Sequence, residues 1–204
     1  MTFPLSLVAT LSLLIAGAAN AAENGNPAAG KEKSETCVAC HGAGGNSTNP
    51  VWPKLAGQHA SYIVKQLHDF KSGARKASLM AGPVAPLNEQ DMVDLATYFS
   101  QQPISAGGAA KDKVALGEQL YRSGNTETQV PACTACHGPR GQGNAAAGFP
   151  QLSGQHSAYT VAQLKAYRDG TRDNDGDSKT MRTVTGRMTD AEIEAVAEYA
   201  SGLH

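Results

Sequence analysis

All four cysteines of this chain fall in two pentapeptides, Cys37-Val-Ala-Cys40-His41 and Cys133-Thr-Ala-Cys136-His137. Cys-x-x-Cys-His is the attachment pattern of c-type haem. Two thiols add across the vinyl groups as thioethers, and the adjacent imidazole offers one axial nitrogen to the iron. The spacing works because it brings both sulfurs and the ring to one edge of one macrocycle. Two copies imply two covalently held haems, and any fold must wrap around both.

Other chemistry for paired cysteines fits less well. Zinc sites use Cys-x-x-Cys pairs, but a histidine directly after each pair is then unexplained. Thioredoxin-like thiols expect a βαβ setting, and no strand alternation flanks either pair. Composition agrees with a haem-filled interior. Aromatic content is 5% and hydrophobic content 41%, thin for two all-protein cores, so the macrocycles would supply much of the apolar volume. The net charge of -1 argues against a nucleic-acid binder of the basic-patch kind and stays compatible with peripheral association at a membrane. No Gly-rich phosphate loop follows a strand, and no serine nucleophile elbow occurs.

Residues 1–22 read as a cleavable signal peptide, which implies a periplasmic protein. Leu5 to Ala18 is apolar but short for a membrane span, and Ala19-Asn20-Ala21 fits the small-residue cleavage rule. No Lys or Arg precedes the apolar run, so an uncleaved N-terminal anchor is the alternative.

The chain is a tandem repeat. Pro53-Lys-Leu55-Ala-Gly57-Gln58-His59 recurs as Pro150-Gln-Leu152-Ser-Gly154-Gln155-His156. Tyr62, Gln66, Leu67, Gly73 and Arg75 recur as Tyr159, Gln163, Leu164, Gly170 and Arg172; Met80, Leu87 and Tyr98 recur as Met181, Met188 and Tyr199. Domains are expected at 23–104 and 113–204, with a Gly- and Ala-rich linker at 105–112. Each should be all-α, a few helices around one haem. Asn26-Pro27 reads as an N-cap with proline at the first helical position. A counterpart helix starts near Asp112 and stops at Gly124. Further helices follow Gln58 and Gln155. Met92, Leu95, Ala96 and Phe99, and likewise Ile193, Val196, Ala197 and Ala200, lie at i, i+3, i+4, i+7.

A second axial ligand remains to be found, and methionine with histidine raises the potential of electron-carrying cytochromes. Thr189 with Glu192 forms a capping box that puts Met188 and Ile193 at the hydrophobic staple positions. In the first half Asn88 is the expected N-cap, with Leu87 and Met92 at the corresponding positions. Met80 and Met181, expected in loops before those caps, have no such structural use and are the candidate iron ligands. His59 and His156 compete with them. His68 and His204 lack repeat partners and read as solvent residues. The Pro53 and Pro150 carbonyls are candidate acceptors for the Nδ1–H of His41 and His137. Asp173-Asn-Asp175-Gly-Asp177 fails the EF-hand pattern at Ser178 and Val184. Arg75, Arg172, Arg182 and Arg187 are candidates to pair with haem propionates.

Taken together, the tandem motifs, the export signal and the repeated Pro-x-Leu-x-Gly-Gln-His block resemble the cytochrome c4 family over essentially the whole mature chain. Pro150 to Tyr159, Asn174 to Asp177 with Met181, and Gly202-Leu-His204 match closely. The resemblance implies two cytochrome c folds related by an approximate two-fold axis, with propionates facing across the interface. It implies covalent attachment at Cys37, Cys40, Cys133 and Cys136, and axial pairs His41 with Met80 and His137 with Met181. It also implies close helix crossings at Gly30 with Tyr98 and Gly117 with Tyr199. The expected role is a dihaem electron carrier between respiratory donors, such as a cytochrome bc1-type complex, and a terminal oxidase or other acceptor, with no bond-making chemistry of its own. Two alternatives remain: a dihaem peroxidase or sulfur-compound dehydrogenase with one open iron, and a haem subunit docked to a membrane oxidoreductase.

Overall fold

Ten α-helices are present in the computed structural model, which describes residues 25–204. The expected signal peptide therefore lies outside the described residues. In the first half α1 is Pro27–Lys33, α2 Glu35–His41, α3 Ala60–Ser72, α4 Ser78–Val84 and α5 Glu89–Ser100. In the second half α6 is Lys111–Ser123, α7 Thr134–His137, α8 Ser157–Arg168, α9 Thr180–Thr185 and α10 Asp190–Ser201. Among the described residues the only extended pairings are two isolated antiparallel bridges, Asn125 with Val130 and Asn144 with Phe149.

Local chemistry starts and stops these helices. The Asn26 side chain accepts from the backbone of Ala28 and Ala29 while Pro27 opens α1, so two otherwise unpaired donors are satisfied. Helices α5 and α10 each carry a complete capping box, Asn88 with Asp91 and Thr189 with Glu192. The methionines assigned to the staples are buried beneath them: Met92 is 0% and Met188 5% exposed. Gly124 ends α6 at φ +73°, a conformation that favours glycine.

Within each half the first and last helices cross at a glycine. A Cβ on Gly30 would lie 2.1 Å from the Asp94 carbonyl oxygen and 2.9 Å from Tyr98 Cβ. On Gly117 it would lie 2.3 Å from the Ala195 carbonyl and 2.6 Å from Tyr199 Cβ. Only a residue without a side chain permits this approach of α1 to α5 and α6 to α10. Above the crossings sit two small cores. Ile63, Leu95, Ala96 and Phe99 form the first. Leu120, Tyr121, Ile193, Val196 and Ala200 belong to the larger second.

Met80 and Met181 depart from the loop expectation. Met80 is on α4 and Met181 on α9. Each helix is only one to two turns long, and α4 contains Pro83, which lacks the N–H needed to continue the ladder. The Thr185 hydroxyl caps the Met181 carbonyl at 2.7 Å. Runs this short, rich in Gly, Ala or Thr, carry little helical signal of their own and form because packing holds them.

Reciprocal hydrogen bonds join the halves. Gln155 pairs with the Lys54 backbone through both its amide atoms, at 2.9 Å each. Gln58 pairs in the same way with Gln151, at 2.9 and 3.0 Å. The segment between α5 and α6 is held by Asn46, whose side chain bonds the Pro103 carbonyl and the Ser105 N–H.

Candidate functional site

The two Cys-x-x-Cys-His motifs open onto one cavity of about 1370 Å³ that runs through both halves. Small-molecule pockets span roughly 300–1,000 Å³, so this space suits a larger or double occupant. Cys37, Cys40, His41 and Met80 line it from the first half, and Cys133, Cys136, His137 and Met181 from the second. Each motif rides on a short helix that ends at its histidine, where Gly42 or Gly138 turns the chain away at φ +77° or +75°.

Both histidines are 8% exposed and fixed by one bond each. His41 Nδ1 lies 2.8 Å from the Pro53 carbonyl, and His137 Nδ1 lies 2.9 Å from that of Pro150. A carbonyl only accepts, so Nδ1 carries the proton and Nε2 is left with its lone pair free. Burial pushes the imidazoles below the ordinary histidine value, the carbonyl bond opposing in part. A neutral, oriented imidazole is the form that coordinates metal.

Burial also pushes the Cys133 thiol up to about 11, and the Cys37 thiol moves in the same direction for the same reason. Redox-active Cys-x-x-Cys thiols are instead lowered by electropositive surroundings, so the site does not read as a dithiol catalyst. Among the described residues no group of three or more His, Cys, Asp or Glu side chains converges as a metal-ligand set.

Arg75 and Arg172 line the cavity; Arg182 and Arg187 do not. Arg172 is 7% exposed and bonds only neutral groups: Tyr62, Gln66, Gln163 and Asn174. Arg75 likewise bonds Gln66, Tyr159 and Gln163. Each guanidinium also lies over an aromatic ring, Phe70 at 4.6 Å and Tyr167 at 4.5 Å. Two guanidiniums in a shared cavity without a carboxylate partner suit a ligand that brings its own anions, as haem propionates do. Arg182 is committed to Asp175, with Nε to Oδ1 at 2.6 Å, and Arg187 to the Gln129 carbonyl. The Asp173–Asp177 turn is thus organised internally by an arginine.

His59 and His156 do not line the cavity. His156 Nε2 donates to the Ser47 carbonyl across the halves at 2.9 Å. Both residues instead begin helices α3 and α8. His68 pairs with Glu89 at 2.9 Å, and His204 is exposed at the end of the chain. The cross-half bonds of Arg75, Arg172, Gln58 and Gln155 were not foreseen from sequence. Their recurrence in both repeats was the available signal, but a repeat does not reveal that two copies face one another.

The comparisons with known proteins agree with this geometry. The cytochrome c family model matches residues 27–103 and again 114–203. The chain is 48% identical over 199 residues to cytochrome c4 of Pseudomonas aeruginosa, covering 98% of this chain and 97% of the relative. It is 41% identical to the thiosulfate dehydrogenase electron acceptor of Thiomonas intermedia, covering 84% of this chain and 80% of that protein. The crystal structure of reduced recombinant cytochrome c4 from Pseudomonas stutzeri superposes with a TM-score of 0.86 at 46% identity, covering 88% of this chain and all of that one. The residues present fit two haems, and the cytochrome c4 relatives support a dihaem electron-transfer role. With two cytochrome c domains and two covalently bound c-type haems, the chain belongs to the cytochrome c4 family.

Proposed function

We propose that Cys37 and Cys40 hold the first haem and Cys133 and Cys136 the second, with His41 and Met80, and His137 and Met181, as the axial pairs. One observation carries this reading: all eight side chains line a single cavity, and both imidazoles are locked by a proline carbonyl in the tautomer that leaves Nε2 free. Bound haem supplies a reversible one-electron couple. The chain holds the imidazoles in orientation, keeps water from the buried ring edges, and supplies two guanidiniums to the propionates.

The protein acts as a periplasmic carrier, exported by a signal peptide within residues 1–22. It passes single electrons from respiratory donors, such as a cytochrome bc1-type complex, to a terminal oxidase or another acceptor. The likeness to a thiosulfate dehydrogenase electron acceptor favours a second donor class, a sulfur-compound dehydrogenase. Met80 and Met181 line the cavity and, as ligands, would leave neither iron open, which sets the dihaem enzyme reading behind the carrier. Intact mass of the exported protein tests the foundation. Two haems retained after denaturation and a chain beginning near Ala22 are the expected result; one haem, or a retained leader, would contradict it.

A further inference from the structure

The hydrogen bonds that fix the two imidazoles do not end at the proline carbonyls. The Pro53 carbonyl and the Lys54 N–H belong to one peptide group. On one side it accepts from His41 Nδ1 at 2.8 Å, and on the other it donates to Gln155 Oε1 of the second half at 2.9 Å. The second site repeats this with the halves exchanged. The Pro150 carbonyl accepts from His137 Nδ1 at 2.9 Å, and the Gln151 N–H of the same peptide donates to Gln58 Oε1 at 2.9 Å.

Both glutamine amides are held in one orientation. Gln155 Oε1 also accepts from the His156 N–H at 3.0 Å, and Nε2 donates to the Lys54 carbonyl at 2.9 Å. Gln58 Oε1 accepts from the His59 N–H at 3.0 Å, and Nε2 donates to the Gln151 carbonyl at 3.0 Å. Exchanging amide N and O would set donor against donor at both N–H contacts and acceptor against acceptor at the carbonyl.

We propose that Gln58 and Gln155 are crossed positioning residues, each setting the electron-donor strength of the axial histidine in the opposite half through one shared peptide group. The physical basis is hydrogen-bond cooperativity. An acceptor on the peptide N–H draws that proton outward and makes the carbonyl oxygen a better acceptor. A stronger Nδ1–H···O bond gives the imidazole more anionic character, which favours ferric over ferrous iron and lowers the potential. Gln155 thus acts on the His41 site, and Gln58 on the His137 site. The two relays differ in burial. Lys54 and Gln155 are 6% and 8% exposed, whereas Gln151 and Gln58 are only half-buried. The drier relay carries more polarisation, so Gln155 has the larger effect.

The proposal rests on His41 and His137 being iron ligands. The test uses the haem-loaded full protein. Proton NMR of the oxidised wild type comes first. Hyperfine-shifted Nδ1 protons from both imidazoles establish the ligation. Their absence would remove that reading, and this proposal with it, whatever the glutamine variants do. The two potentials are then followed separately in Gln155→Leu and Gln58→Leu. Gln155→Leu should raise the potential of the His41 site and leave the His137 site at its wild-type value; Gln58→Leu should do the reverse, by a smaller shift. Gln155→Glu separates the relay from a plain interface latch. It keeps an acceptor oxygen for the Lys54 N–H but removes the Nε2 donor, so the His41 potential should not rise. Equal shifts at both sites, a shift only in the half that carries the substitution, no shift, or a rise with Gln155→Glu would each overturn the proposal.

Discussion

Arg172 of the second half donates from Nη2 to the Tyr62 hydroxyl of the first at 3.0 Å, and Arg75 returns the contact with a 2.9 Å bond to the Tyr159 hydroxyl. The exchange places both cationic groups in the cavity shared by the two Cys-x-x-Cys-His motifs. None of their hydrogen-bond partners is a carboxylate, so their charge is available to the haem propionates. A nearby cation stabilises the electron on reduced iron. Arg172→Gln should therefore lower both midpoint potentials by tens of millivolts, about 59 mV being a tenfold change for a one-electron couple. Redox titration checks this, and unchanged or raised potentials would contradict the pairing.

Each methionine should govern one iron. Met80→Ala removes the thioether from the first site and Met181→Ala from the second. Each variant should lower one potential, leave the other near its wild-type value, and admit carbon monoxide to half the haem. An iron that stays closed with its potential unaltered would mean that the substituted methionine is not a ligand.

The helix crossings set a steric prediction. Gly30→Ala places a methyl 2.1 Å from the Asp94 carbonyl, and Gly117→Ala places one 2.3 Å from that of Ala195. Neither contact is with a flexible side-chain end, so backbone must move. Overpacking of this kind costs about 1–3 kcal/mol. In domains of this size each kcal/mol lowers the melting temperature by roughly 4–8 °C. Calorimetry showing no loss would mean that the helices separate without penalty.

Acid should loosen the first half through Asp94. Burial alone would raise this carboxyl, but bonds from Lys33, the Asn26 N–H and Gln90 outweigh it and hold the group below its ordinary 3.8. A depressed folded value contributes stability that is complete above the unfolded value and is lost as pH falls through 3.8 and below. Asp94→Asn should reduce stability at neutral pH and flatten its decline in acid, as followed by thermal melts across that window. An unchanged pH profile would remove Asp94 from the acid response.

Much of this arrangement was legible in the residues, for identifiable reasons. The N-cap at Asn88, the capping box at Thr189 and the proline after Asn26 are local devices, so their sequence is their structure. Glycine crossings at Gly30 and Gly117 were readable only through the family resemblance, because a glycine inside a helix does not announce its neighbour. Helices α4 and α9 were missed, since Gly82, Pro83 and the threonines around Met181 carry weak helical preference and tertiary packing decides. The Gln155–Lys54 and Gln58–Gln151 pairs were out of reach for another reason. Each glutamine amide there meets backbone atoms, of a kind present at every position, and what selects them is the docking of one half against the other.

The most direct test of the central claim, two closed histidine–methionine centres in one carrier, is the optical spectrum of the haem-loaded protein, oxidised and then reduced under carbon monoxide. A far-red methionine-to-ferric-iron band scaled for two haems, with no carbon monoxide shift, is the expected result. Carbon monoxide binding to about half the haem would reveal one open iron and contradict the carrier assignment.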